Sequence, residues 1–174
     1  MRVLVPFAND EPKSRLAPVL SAAERREFSV AMLCDVVDAI ERVGHDPELL
    51  VPEPLDCRAE GADSAAADVG ERLGSFPATV DDRPLSAAVN AALDERAGAG
   101  VEQAVVMADL ALATPTALRR LFAAGGDVAV APGRGGGTNA LVVRDPDFSV
   151  DYHGASYRDH RRIAAEAGLS VAVV

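Results

Sequence analysis

Lysine is almost absent from this sequence. Its 174 residues contain one, Lys13, so 16 of the 17 basic side chains are arginine. Positive charge as a whole is short: 27 acidic residues leave a net charge of -10, which argues against general nucleic-acid binding, since that needs a basic face. Tryptophan is missing and aromatic residues make up 4% of the chain, so the apolar half is almost entirely aliphatic. No apolar run approaches the ~20 residues of a membrane span, and Met1 leads directly into a strand pattern with no signal peptide. The two cysteines, Cys34 and Cys57, have no metal-ligand spacing and are expected to be reduced thiols of a cytoplasmic protein. Abundant Asp, Glu and Ala beside so little Lys read as adaptation to a salty cytoplasm.

What is present is ordinary by comparison. A 49% hydrophobic, 25% charged chain of this length suits one domain with a three-layer core. Strand patterns occur at Arg2 to Pro6, Leu49 to Val51, Gln103 to Met107, Asp127 to Ala131, Ala140 to Val143 and Leu169 to Val174. Helical patterns lie between them. Ser21 and Glu24 form a capping box ahead of Phe28, Met32, Val36, Ile40 and Val43 at helical spacing, and Gly44 is the stop. Leu85 to Ala97 reads as a helix. Thr114-Pro115 opens another, with Leu118, Leu121 and Phe122 inward and Gly125 at its end. Ser156, with Asp159 three residues on, is expected to cap a last helix reaching Ala167. Residues from about 53 to 82 read as a long connection, with a helical turn near 65–73 and a short strand at 78–80. The alternation of strand and helix predicts a three-layer α/β/α fold with a mainly parallel sheet.

Ligands of such sheets gather at the carboxyl ends of the strands. Lys13-Ser14-Arg15 follows the first strand, Asp109 follows the central one, and Gly133-Arg134-Gly135-Gly136-Gly137-Thr138 follows the next. A flexible cation, a carboxylate and a glycine-rich turn together suit a magnesium-bound nucleoside triphosphate. Blander readings stand beside these. Lys13 can be a solvated partner of Arg15, Asp109 a turn cap, the glycines a flexible turn, Ser156 a helix cap and His160 a helix-surface residue. The scarcity of lysine weighs against the first, because a compact charge on a flexible stem follows phosphate oxygens more easily than a planar guanidinium does. The glycine run is no Walker A loop, since no Gly-Lys-Ser/Thr follows it. It could still let backbone N–H groups close around an anion.

Four stretches carry a resemblance: VPFANDEPKSRLAPVLSAAER (Val5 to Arg25), VVMADLALATP (Val105 to Pro115), APGRGGGTNALVVR (Ala131 to Arg144) and YHGASYRDH (Tyr152 to His160). Taken together, they resemble the 2-phospho-L-lactate guanylyltransferase family, nucleotidyltransferases with a GT-A-like, Rossmann-related fold. The resemblance implies transfer of GMP from GTP to 2-phospho-L-lactate, giving lactyl-2-diphospho-5'-guanosine and pyrophosphate on the route to coenzyme F(420). It implies magnesium on Asp109, and triphosphate contacts from Lys13, Ser14 and Arg15. Gly136, Gly137, Thr138, Gly154 and Ser156 would lie on the acceptor-phosphate side. Relatives acting on phosphoenolpyruvate or 3-phosphoglycerate, and a catalytically weak nucleotide-binding protein of the same fold, are the alternatives. A second copy of the chain is a candidate partner; nucleic acid and membrane are not. Two departures stand out. Leu110-Ala111-Leu112 replaces a proline found in the family soon after the first aspartate. The family also usually continues past the last strand into an Asp-x-Asp-Thr-Pro-type segment with a second metal aspartate, whereas this sequence reaches Val174. The expectation is a single nucleotidyltransferase domain, residues 1–174, lacking that segment.

Overall fold

An unbroken apolar run makes a strand that is buried on both faces, and Val3-Leu4-Val5 is fully buried in that way. It forms the middle of β1 (Arg2–Pro6) in the computed structural model, which describes residues 1–8, 13–55, 64–95, 102–110 and 113–174. The other strands are β2 (Pro47–Val51), β3 (Ala78–Val80), β4 (Gln103–Val106), β5 (Val128–Pro132), β6 (Thr138–Val143) and β7 (Val171–Val173). They form one seven-stranded sheet in the order β3-β2-β1-β4-β6-β5-β7. Every pairing is parallel except those of β6 with β4 and β5. The exception follows from chain length: Gly133 to Gly137 is room for a hairpin, whereas a parallel return needs a crossover of a dozen residues or more.

The helices are α1 (Ala22–Glu41), α2 (Ser64–Gly74), α3 (Leu85–Asp94), α4 (Pro115–Ala123) and α5 (Ser156–Glu166). Successive strand residues feed opposite faces. Val3, Val5, Ala104 and Val106 pack with Leu33 and Val36 of α1 and Leu118 and Leu121 of α4. Leu4 and Val105 pack with Val89 and Leu93 of α3 and Ala164 of α5. The result is the expected α/β/α sandwich. The capping box at Ser21 and Glu24 is present, and Thr114 caps α4 with Pro115 at its first position. No helix among the described residues is long and apolar enough to cross a membrane.

Several boundaries and contacts differ from the sequence reading. Phe28 is 45% exposed, and the buried stripe of α1 runs instead through Ser29, Leu33, Val36 and Ile40. The helical turn expected near 65–73 is a full helix of 11 residues. Strand β6 begins at Thr138, two residues earlier than its apolar run, because pairing with Pro132 extends the ladder into polar sequence. Helix α3 ends at Asp94 with Glu95 as its C-cap, short of the expected Ala97; Ala97 itself, like Cys57, Ala111 and Leu112, lies outside the described residues.

Candidate active site

Chain order and sheet order part company between β1 and β4. From β1 the chain moves outward to β2 and β3, then returns to place β4 on the other side of β1. A crevice opens at the carboxyl ends of strands where such a reversal occurs. The segments after β1 and β4 carry Lys13 and Asp109. Lys13 Nζ donates to Asp109 Oδ2 at 2.7 Å, across 96 residues of sequence. The lysine side chain is 21% exposed and the carboxylate 57%. Asp109 Oδ1 has no partner among the described residues, so half of the carboxylate remains open. Lys13 is also the one non-glycine residue with a positive φ among those described, at 53°. Residues held there cost of order 1 kcal/mol or more, a cost that clusters at ligand sites. The chain turns at that point into a short 3-10 helix, Ser14–Leu16.

Because β6 runs antiparallel, its first residue reaches the same edge of the sheet. The Met107 N–H donates to the Asn139 carbonyl at 3.0 Å, tying the start of β6 to the residue after β4. The glycine turn before it is closed by two bonds, Gly133 N–H to Gly137 O at 2.8 Å and Gly136 N–H to Gly133 O at 3.0 Å. Gly136 adopts φ 85°, which a side chain would resist. The N–H groups of Arg134, Gly135 and Gly137 have no acceptor among the described residues. The turn is docked on α5 by the Tyr157 N–H, which donates to Gly136 O at 3.1 Å.

Ser156 was expected to cap α5 and does not. Ala155 holds that position, and the Ser156 hydroxyl instead accepts the Thr138 N–H at 2.9 Å. Both side chains are buried, Ser156 at 3% exposure and Thr138 at 6%. His160 is no helix-surface residue either. It is 1% exposed, with Nδ1 2.8 Å from Thr138 Oγ1 and Nε2 accepting the Asp151 N–H at 3.0 Å. The rings of Tyr152 and Phe148 flank it edge-on at 5.1 and 6.0 Å. Burial outweighs the nearby carboxylates of Asp151 and Asp159 and lowers its pKa to about 4, so the imidazole is neutral at pH 7.

Two groups therefore assemble along one edge: Lys13 with Asp109, and Gly136, Gly137, Thr138, Ser156 with His160. Ser14 and Arg15 are exposed, and among the described residues their side chains form no hydrogen bond or ion pair with either group. Gly154 is exposed at φ 53°, two residues before Ser156, with nothing within 4 Å of where a Cβ would stand. A cavity of about 420 Å³ runs from Asp109 along α4 and β6, past Leu118, Ala131 and Asn139. Another, of about 590 Å³, is lined by Gly133 and Gly136 of the glycine turn and gathers Arg134, Arg158, Arg161 and Arg162. His160 and the arginine pocket were missed in the sequence. His160 stands four residues after Ser156, one helical turn away, and that spacing was the available signal.

The whole chain, residues 1–174, matches the family model described as "Guanylyl transferase CofC like". The chain belongs to that family. Among curated relatives, the 2-phospho-L-lactate guanylyltransferase of Halomicrobium mukohataei is 58% identical over 171 residues, 98% of this chain and 74% of the relative. The protein of the same name from Haloferax volcanii is 55% identical over 174 residues, 100% of this chain and 75% of the relative. The chain thus spans about three quarters of these guanylyltransferases' length. A solved protein from Desulfovibrio desulfuricans G20, described as a candidate nucleotide-diphospho-sugar transferase, superposes with a TM-score of 0.74 over 99% of this chain and 78% of its own. At 15% identity that likeness speaks for the nucleotidyltransferase-like fold alone.

Proposed function

We propose that this chain transfers GMP from GTP to 2-phospho-L-lactate, as the names of its relatives state for them, and that the Lys13–Asp109 pair marks the triphosphate site. The pairing carries the reading. The chain's sole lysine and an open carboxylate meet at the strand reversal, and neither has another described use. In this reaction an oxygen of the acceptor phosphate attacks the α-phosphorus of GTP. A diphosphate bridge forms, the α–β phosphoanhydride bond breaks, and pyrophosphate leaves with the electron pair. No protein nucleophile is required, so the work is positioning and neutralisation of charge.

Magnesium fits the donor set. Asp109 offers a hard oxygen, and the described residues hold no group of three or more His, Cys, Asp or Glu, so substrate phosphates and water would complete the shell. When bound there, magnesium would supply neutralisation of phosphate charge. Asp109 would hold the ion, and Lys13 would contact the β- and γ-phosphates and stabilise the departing pyrophosphate. Arg15, two residues from Lys13 in sequence, would be a second cation for the triphosphate. Thr138, Ser156 and the free N–H groups of the glycine turn are donors, which suits an acceptor phosphate. Consumption of GTP places the reaction in the cytoplasm.

Pyrophosphate release tests the reading, with GTP and magnesium and one acceptor at a time. The expected result is release that depends on acceptor and is fastest with 2-phospho-L-lactate. Faster release with phosphoenolpyruvate or 3-phosphoglycerate would reassign the acceptor, and release without any acceptor would contradict transfer.

A further inference from the structure

The imidazole of His160 has two bonds that together settle where its proton lies. Nε2 receives the backbone N–H of Asp151 at 3.0 Å, and a backbone N–H can only donate. Nε2 therefore offers a lone pair. A neutral imidazole then carries its proton on Nδ1, which donates to Thr138 Oγ1 at 2.8 Å. The other tautomer would point a ring N–H at the Asp151 N–H and leave both donors buried and unpaired. The Thr138 hydroxyl consequently accepts from His160 and must send its own proton elsewhere. Among the described residues that proton has no acceptor. The same holds one bond away: the Ser156 hydroxyl accepts from the Thr138 N–H at 2.9 Å, and its proton too has no described acceptor. Two buried hydroxyls thus each have one lone pair occupied and a proton without a described acceptor, an arrangement that suits an oxygen able only to accept, such as that of a phosphate dianion.

We infer that His160 is a positioning residue of the transfer reaction, whose Nδ1–H occupies a lone pair of Thr138 Oγ1 and so reserves the Thr138 hydroxyl proton for an oxygen of the acceptor phosphate. This rests on the proposal that Thr138 faces the acceptor. His160 touches no substrate and acts through Thr138. A tightly packed ring suits the task better than a flexible donor, because Tyr152 and Phe148 fix its plane edge-on and burial keeps it neutral.

The test separates the two ring nitrogens. Asn at position 160 can place an amide N–H near the Nδ1 site, whereas Gln reaches the Nε2 site and leaves Thr138 without its donor. Fold is checked by circular dichroism and GTP affinity. His160→Gln should raise the acceptor KM about tenfold or more while the GTP KM stays within about twofold, and His160→Asn should stay within about threefold of the parent for both. In a Thr138→Val background, His160→Gln should add nothing. Nitrogen-15 NMR of the parent protein should show the His160 proton on Nδ1. If Thr138→Val alone leaves the acceptor KM unchanged, the placement of the acceptor fails and this inference falls with it. If Thr138→Val is impaired but folded His160→Gln is not, or if Asn and Gln lose equally, the inference alone is overturned. A proton found on Nε2 would also overturn it.

Discussion

Lys13 occupies a conformation that lysine rarely adopts, and its ammonium reaches a carboxylate from another strand's loop. A surface ion pair is worth roughly 0–1 kcal/mol, no more than the roughly 1–3 kcal/mol that the left-handed backbone at φ 53° costs, so the pair adds no net stability. Its proposed use lies in being exchanged for substrate. Were the lysine a surface charge, Lys13→Arg would be silent, within about ±0.5 kcal/mol of stability and at parental turnover. The expected outcome is normal folding, GTP binding within about tenfold, and a loss of turnover on the order of a hundredfold, about 2.7 kcal/mol at 1.36 per decade. Steady-state kinetics on the folded variant, at a salt concentration that supports a -10 chain, makes the measurement. Unchanged turnover would return Lys13 to the surface.

Among the elements, the antiparallel strand β6 does the most to build the site, since it carries Thr138 back to the edge where Lys13 and Asp109 stand. The hairpin before it depends on Gly136 at φ 85°, where an added Cβ would meet Ala155 Cβ no closer than 3.6 Å. Space is therefore available and the backbone alone resists. Gly136→Ala should cost about 1–2 kcal/mol in thermal or denaturant unfolding and raise the acceptor KM more than the GTP KM. Equal effects on both substrates would detach the turn from the acceptor. Local signals were legible at this scale: the Ser21–Glu24 box, Pro115 at a helix start and the apolar runs of β1 and β4 each act within a few residues. Ser156 misled for the same reason. Its cap-like sequence is local, but its hydroxyl is taken by the Thr138 N–H, 18 residues away, which no short-range pattern records. His160 was hidden likewise, because its burial is imposed by Phe148 and Tyr152 from outside the helix.

Across the whole molecule, titration links the site to stability. His160 has a folded pKa of about 4, below its ordinary 6.5, so the unfolded chain binds more protons between those values. Its contribution is complete above pH 6.5 and is lost as pH falls toward 4. Asp81, Asp127 and Asp151 are held below the usual carboxylate range by hydrogen bonds from Arg83, Ser170 and His153, and lose their contributions at still lower pH. Both effects therefore destabilise the fold on acidification, in successive windows. His160→Asn should flatten the decline between pH 6.5 and 4, by up to about 1.4 kcal/mol per pH unit, and leave the steeper fall below it. Parallel unfolding curves for the two proteins across that window would show that His160 titrates normally. The alternation of strand and helix made the three-layer architecture readable from sequence. The reversal that brings β4 beside β1 was not, because strand order is decided by packing across the sheet.

Calorimetry of GTP binding, with and without magnesium, in the parent protein and in Asp109→Asn, tests the central claim most directly. In the parent, Asp109 without magnesium repels the triphosphate and competes for Lys13, so adding the ion should tighten GTP about tenfold or more, at least 1.4 kcal/mol. In Asp109→Asn, magnesium should make no difference, and magnesium-free GTP should bind at least as tightly as it does to the parent. A variant that keeps the parent's full response to magnesium would contradict the account.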